Sequence, residues 1–385
     1  MISMTLLLLC VAGDVDVVVP RGGGDEIRGS ISRLDEDGIR LRLASESEES
    51  ASDIVLAWDR VADVRIGGLV QPRLPELLER ADRLFRARVR LHRGDLANAE
   101  PILELEFPPM IGRSSETALF IADGLLRCRL DRGAHADSIE PAMEYSRLRR
   151  AGITTAFDDM LVPPTIASDE GEGGVQMWDA DLGLIPYLPP VWLPGPALAG
   201  AASRMEMLPA FEDPVLGEIA ALYQRSMAMQ LGEAVEPVDL ESSAIADHPG
   251  TLLMALMVNA VHPDGTVRKA ARAMLEVRPA GDPEWVADWI RFQLGRSYLM
   301  EPGAGQHRKG MLRLANLIAR SSKAHPYLVG MGMAIMADEF EMMDDQDAAE
   351  RLRGDLQRMI PMHPVLRATH TVPTGMTPEV GKETQ

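Results

Sequence analysis

Two cysteines, Cys10 and Cys128, are all that 385 residues hold. No disulfide framework and no cysteine-based zinc site can be built from them. Cys128 lies inside a helical pattern and reads as a small buried hydrophobe. Aromatic residues are scarce, at 4% of the chain, so Leu, Met and Ala must do most of the packing. No apolar run approaches the roughly 20 residues that a membrane-spanning helix needs, and no integral membrane segment is expected. Positive charge is in deficit: 39 Lys and Arg stand against 58 Asp and Glu, a formal charge of −19. Such a field disfavours nucleic acid and anionic membrane as partners and favours solubility.

The usual catalytic phrases are missing as well. No G-x-G-x-x-G or P-loop follows a strand, and neither H-E-x-x-H nor G-x-S-x-G occurs. The eight histidines are His92, His135, His248, His262, His307, His325, His363 and His370, and they show no ligand spacing. His92 and His135 fall near equivalent helix turns, while His325 and His363 each precede proline and read as turn residues. The adjacent pairs Asp158-Asp159 and Asp344-Asp345 point different ways on a helix and do not form a spaced acid–base couple. Asp179 and Asp181 beside Gly183 lack the ligand set of a calcium loop. No catalytic residue, cofactor or metal is therefore assigned.

What the chain does have is a doubled phrase. Residues 86–100 read RARVRLHRGDLANAE and residues 126–140 read LRCRLDRGAHADSIE. Each has an arginine-studded helix end, an Arg-Gly pair (Arg93-Gly94, Arg132-Gly133) and an Ala-rich return. The two glycines are 39 positions apart. This is the helix–turn–helix cadence of a tetratricopeptide-like (TPR-like) repeat with a long period. Repeated helix pairs build surfaces rather than catalytic centres. Methionine is plentiful, with 23 residues. Its plain use is to fill helical cores, and its sharper use is to line an adaptable binding groove.

The expected organisation is α+β, predominantly α. Residues 1–13 have the length of a signal-peptide apolar core with small residues before Asp14, although no basic residue precedes it. If that segment is cleaved, the protein is exported to the periplasm; otherwise it is cytoplasmic. Residues 14–68 carry short strand signals: Ile39, Leu41 and Leu43 alternate with Arg40 and Arg42 after the turn Asp35-Glu36-Asp37-Gly38. A bend or bulge is expected near Gly29. These strands should curl into a small β-barrel separable from the rest. Residues 74–152 read as helix pairs, 153–210 as a Pro- and Trp-rich extended crossing, 211–365 as a C-terminal helical-repeat region and 366–385 as a tail.

The crossing holds too much proline for regular structure, yet Tyr187, Leu188, Val191, Trp192 and Leu193 are too apolar for a free loop. It is expected to dock on the helices, with Trp192 as its clamp and Trp178, beside the acidic glycine loop, mattering less. Trp178, Tyr187, Trp192, Trp285, Trp289 and Tyr298 are the candidate partner-binding or interdomain residues. Buried, they form the core where the crossing docks. Exposed beside a concavity, they would be peptide-binding anchors.

The strand segment resembles the small Sm-like or SH3-like barrels. The likeness lies in the glycine bend, the Asp-Gly hairpin and the phrase Trp58-Asp59-Arg60-Val61 before the closing strand. The RNA binding common among Sm-like barrels does not carry over, since Asp35, Glu36, Asp37, Glu46, Glu48 and Glu49 offset the arginines and only Trp58 could stack on a base. The chain as a whole resembles uncharacterised TPR-like helical-repeat proteins of planctomycete-type bacteria, many of them exported. The phrases RVRLHRGDLANAE, ADGLLRCRLDRG, LGLIPYLPPVWL, GMLRLANLIARS and HPYLVGMGMA carry this resemblance, which implies no catalytic residues. Two functions are expected to compete. One is a non-catalytic interaction scaffold for a protein or peptide. The other is an exported hydrolase or ligand-binding enzyme whose acidic and histidine residues converge only in space.

Overall fold

A computed structural model describes residues 15–43, 52–67, 71–154, 176–278, 281–322 and 324–368. The expected signal segment, the pair Asp158-Asp159 and nearly all of the tail lie outside the described residues. The chain is mostly helical, with a small antiparallel sheet near its N-terminus. It forms two compact units, one made of the described residues up to 125 with 151–154, the other of 126–150 with the described residues from 176 onward.

In the first unit the strands are β1 (Asp16–Pro20), β2 (Ile27–Asp35), β3 (Gly38–Leu43), β4 (Asp53–Leu56) and β5 (Val61–Arg65). Their order across the sheet is β4-β3-β2-β1-β5, so β4 and β5 are its two edges. The acidic turn places Asp35 opposite Gly38, and Gly38 takes a φ of 144° that an L-residue resists. The irregularity expected near Gly29 appears as a register shift in β2 between Ile31 and Arg33. Gly29 answers a different need: a Cβ there would lie 2.1 Å from the Arg42 carbonyl oxygen on β3.

The strand core continues into the helices α1 (Leu74–His92), α2 (Leu96–Glu106) and α3 (Glu116–Asp131). Trp58 is fully buried. Its indole Nε1 donates to Asp35 O at 2.6 Å, its backbone N–H donates to Thr117 Oγ1 at 3.2 Å, and that hydroxyl donates to Asp37 O at 2.8 Å. Asp59, almost without solvent exposure, meets Arg88 of α1 at 3.3 Å, and burial pushes its carboxyl above the usual range. The strands expected to be separable thus share a compact unit with the first helix pair.

The second unit holds α4 (His135–Arg150), α5 (Pro196–Glu206), α6 (Pro214–Gln230), α7 (Ser243–Ala246), α8 (Pro249–Asn259), α9 (Gly265–Glu276), α10 (Glu284–Leu299), α11 (Ala304–Ser321), α12 (Pro326–Met342), α13 (Gln346–Met359) and α14 (Val365–Ala368). From α8 to α13 each helix packs on the next.

Both Arg-Gly phrases close their helices in one way. Gly94 (φ 71°) and Gly133 (φ 74°) are left-handed. Gly94 N–H bonds Leu91 O and Asp95 N–H bonds Arg90 O, while Gly133 N–H bonds Leu130 O and Ala134 N–H bonds Arg129 O. These paired hydrogen bonds satisfy carbonyls that a helix end leaves open. Asp344 (φ 64°) does the same after α12, with Asp344 N–H to Glu341 O and Asp345 N–H to Phe340 O. Gly94→Ala is expected to cost about 1–2 kcal/mol through backbone strain alone, because nothing lies within 4 Å of the added Cβ. Gly133→Ala should cost more, since its Cβ would stand 2.8 Å from Pro364 Cδ. Urea unfolding of both variants tests this, and equal losses would show that Pro364 yields freely.

The described part of the crossing lies across the helices of the second unit. Prolines deprive it of ladder donors, so its carbonyls need partners from elsewhere. Helix side chains supply them. Tyr223 Oη of α6 donates to Leu188 O at 2.6 Å, Trp289 Nε1 of α10 to Pro186 O at 2.9 Å, and Tyr327 Oη of α12 to Val191 O at 2.9 Å. Trp192 answers with its own Nε1, which donates to Ser226 Oγ at 2.7 Å.

Candidate functional site

Two concave places in the second unit bring functional side chains together. The first is a cluster of histidine and tyrosine. His135 opens α4, while His325 precedes α12 and His363 precedes α14. All three are buried, and they line one cleft with Tyr187 and Tyr327. The His135 ring stacks on Tyr327 at 3.4 Å between centroids, with the planes 13° apart. The His363 ring centroid lies 5.6 Å from that of Tyr327, and that of His325 lies 6.1 Å from Tyr187. His363 Nδ1 accepts from Val365 N–H at 3.2 Å and its Nε2 meets Tyr327 O at 3.0 Å. The second group must therefore be the N–H, which fixes the neutral tautomer.

Burial disfavours the charged form of every one of these rings. It brings the His135 pKa down to about 3, helped by the like charge of His363 and His325 and opposed by the Gly133 and Tyr187 backbones. Burial likewise brings His325 down to about 4, and His363 to about 4 against the pull of the Tyr327 carbonyl. Neutral imidazoles could serve as bases. However, the shallow cleft over them has a volume of about 60 Å³, and its lining offers a single carboxylate, Asp131. Among the described residues no group of three His, Cys, Asp or Glu side chains is placed to hold a metal ion.

The second place is a groove between the first turns of α11 and the last turn of α12. Its volume is about 390 Å³, several times that of the cleft, and its surface is almost wholly apolar. Ala304, His307 and Met311 share one face of α11 at three- and four-residue spacing, and Phe340 of α12 faces them with Met343, which caps that helix. Small Gly303 and Ala304 leave the space open. His307 Nδ1 donates to Glu339 Oε2 at 3.0 Å and ties α11 to α12. Met343 is 53% exposed and Met342 beside it 72%. Large unbranched side chains left in water around a concavity mark an interaction surface more readily than a core.

The six aromatics singled out from sequence are all buried within the second unit. Trp178 meets Tyr145 edge-on at 6.5 Å, Trp192 meets Tyr223 at 5.8 Å, and Trp285 and Trp289 meet at 4.8 Å. Tyr298 donates to Glu276 at 2.6 Å beneath the Arg272 guanidinium, 4.4 Å from its ring. Only Tyr187 reaches the cleft, and none of the six lines the groove. Asp344 and Asp345 sit in the α12–α13 turn, Asp345 capping Ala348 N–H at 3.1 Å. Asp179 Oδ1 accepts from Leu182 N–H at 3.0 Å in a local turn. No helix among the described residues is long and apolar enough to cross a membrane.

Comparison with known protein families, with curated proteins and with solved structures finds no match to this chain.

Proposed function

We propose that this chain is a non-catalytic interaction scaffold of the helical-repeat kind, its N-terminal sheet a small Sm-like or SH3-like barrel, with a protein or peptide partner seated in the α11–α12 groove. The observation that carries this reading is the groove itself: about 390 Å³ of apolar concavity walled by Met311, Phe340 and Met343. Thioether side chains repack cheaply around different ligands, which suits a binding surface. An enzyme would need converging carboxylates beside a histidine, and the histidine cleft offers only Asp131.

The test is a peptide-display selection on the full chain, followed by calorimetry of the winners against wild type and Met343→Glu. Because Met343 is half exposed, the variant should melt within about 2 °C of wild type, as surface changes usually cost under about 0.5 kcal/mol. Binding should weaken at least tenfold, since burying one such side chain is worth about 1.5–3 kcal/mol. Selected peptides that bind the variant as well as wild type would show that the groove is not where partners dock.

A further inference from the structure

Resting on the scaffold reading, we infer that the partner of the groove is a basic amphipathic helix, one that presents an apolar stripe to the methionines and Lys or Arg residues to the carboxylates beside them. The shape argues first. A groove between two helices, lined from both sides at helical spacing, takes a third helix through residues at i, i+3 and i+4. His307, the lining histidine, is already engaged by Glu339 at 3.0 Å.

The charges argue next. Met343 runs directly into the α12–α13 turn, where Asp344, Asp345 and Asp347 are all exposed within four residues of chain. On the opposite wall the lining has one cation, Arg308, whose stem can lie along apolar surface while its head stays in water. Farther along α12, Asp338 and Glu341 are already matched by Arg353. The turn therefore leaves negative charge at one end of the groove, in a chain whose formal charge is −19. A positive segment would be steered toward it, and an acidic one repelled.

Three synthetic peptides of equal length separate shape from charge: an amphipathic Leu/Lys helix, its Leu/Glu counterpart with the same apolar stripe, and a Lys/Gly peptide without leucine. They are titrated into the full chain carrying ¹³C-methyl methionine, and the methyl signals of Met311 and Met343 are followed. The Leu/Lys peptide is expected to shift both methyls and to bind at least tenfold tighter than either of the others. Asp344→Asn with Asp347→Asn should weaken it severalfold, as should raising the salt. Equal or tighter binding of Leu/Glu would overturn the basic partner and leave the groove as a docking site. Equal binding of Lys/Gly would reduce the effect to diffuse charge attraction and overturn the amphipathic helix. If no peptide moves the two methyls, the docking site fails together with the inference. A dimer in light scattering that shifts these methyls without peptide would replace the basic helix by a second copy of the chain.

Discussion

Acidification from pH 7 to pH 5 is expected to destabilise the second unit steeply. His135, His325 and His363 keep pKa values of about 3, 4 and 4 in the fold because they are buried away from water. In the unfolded chain each returns to about 6.5. Between those values the unfolded chain binds more protons, so stability is complete above pH 6.5 and falls as the pH drops toward 4. Each ring removes up to about 1.4 kcal/mol per pH step of one, a slope that is half developed at pH 6.5, so the three together remove about 5 kcal/mol between pH 6.5 and 5. Asp288 and Glu140 act in the opposite sense, since burial raises both carboxyls and the fold then takes up their protons more readily. They offset at most two rings, which still leaves a loss of about 2 kcal/mol or more by pH 5. Against a total stability of about 5–15 kcal/mol this is a large effect. Urea midpoints at pH 7.5, 6.5, 5.5 and 5.0 measure it, and His135→Phe should flatten the slope by one proton. A midpoint that does not move over this range would mean that the rings reach water before the unit unfolds.

The cluster behind that prediction could not be read from the chain, and the reason is distance. His135, His325 and His363 come from three helix starts far apart in sequence, and each has an adequate local explanation as a turn or cap residue. Only the packing of α4, α12 and α14 brings them to one cleft. The groove was half legible. Ala304, His307 and Met311 already share a face by their spacing, but nothing local pairs that face with Phe340 and Met343, and methionine is spread along the whole chain.

Short-range features were clearer because their causes are short-range. The turn Asp35–Gly38 with the alternation of Ile39 and Leu41 specifies a hairpin within a few residues. The Arg-Gly phrases specify helix ends because only a left-handed residue closes both bonds there. The irregularity expected near Gly29 is present two residues on, between Ile31 and Arg33, while Gly29 itself serves close approach and lets the Arg42 carbonyl come near. What the strands alone could not show is that Trp58 and Asp59 find partners in Thr117 and Arg88, which lie beyond the strand segment.

Trp192→Ala is expected to lower the melting temperature of the second unit sharply while leaving its helix content in place. Trp192 is about 1% exposed. It lies edge-on to Tyr223 and donates to Ser226 Oγ, so both the packing and a buried donor are lost. Vacated aromatic sites cost about 3–5 kcal/mol, which for a unit of this size is a fall of at least about 6 °C. Circular dichroism below the transition should scarcely change, because α6 keeps its own ladder and Ser226 still donates to Tyr223 O at 2.7 Å. Trp192→Phe separates the terms: it keeps most of the apolar surface and removes the N–H, for about 1 kcal/mol. Trp178→Ala was expected from sequence to matter much less, beside its acidic glycine loop. The structure buries Trp178 against Tyr145, so its loss should approach the packing part of the Trp192 effect. The crossing is held at four points by α6, α10 and α12, and a segment held so cannot lift without exposing Leu188 and Val191, both fully buried. If both alanine variants melted near wild type, those carbonyl bonds would be decoration, and the segment would be a flap over the helices instead of the strap that binds them.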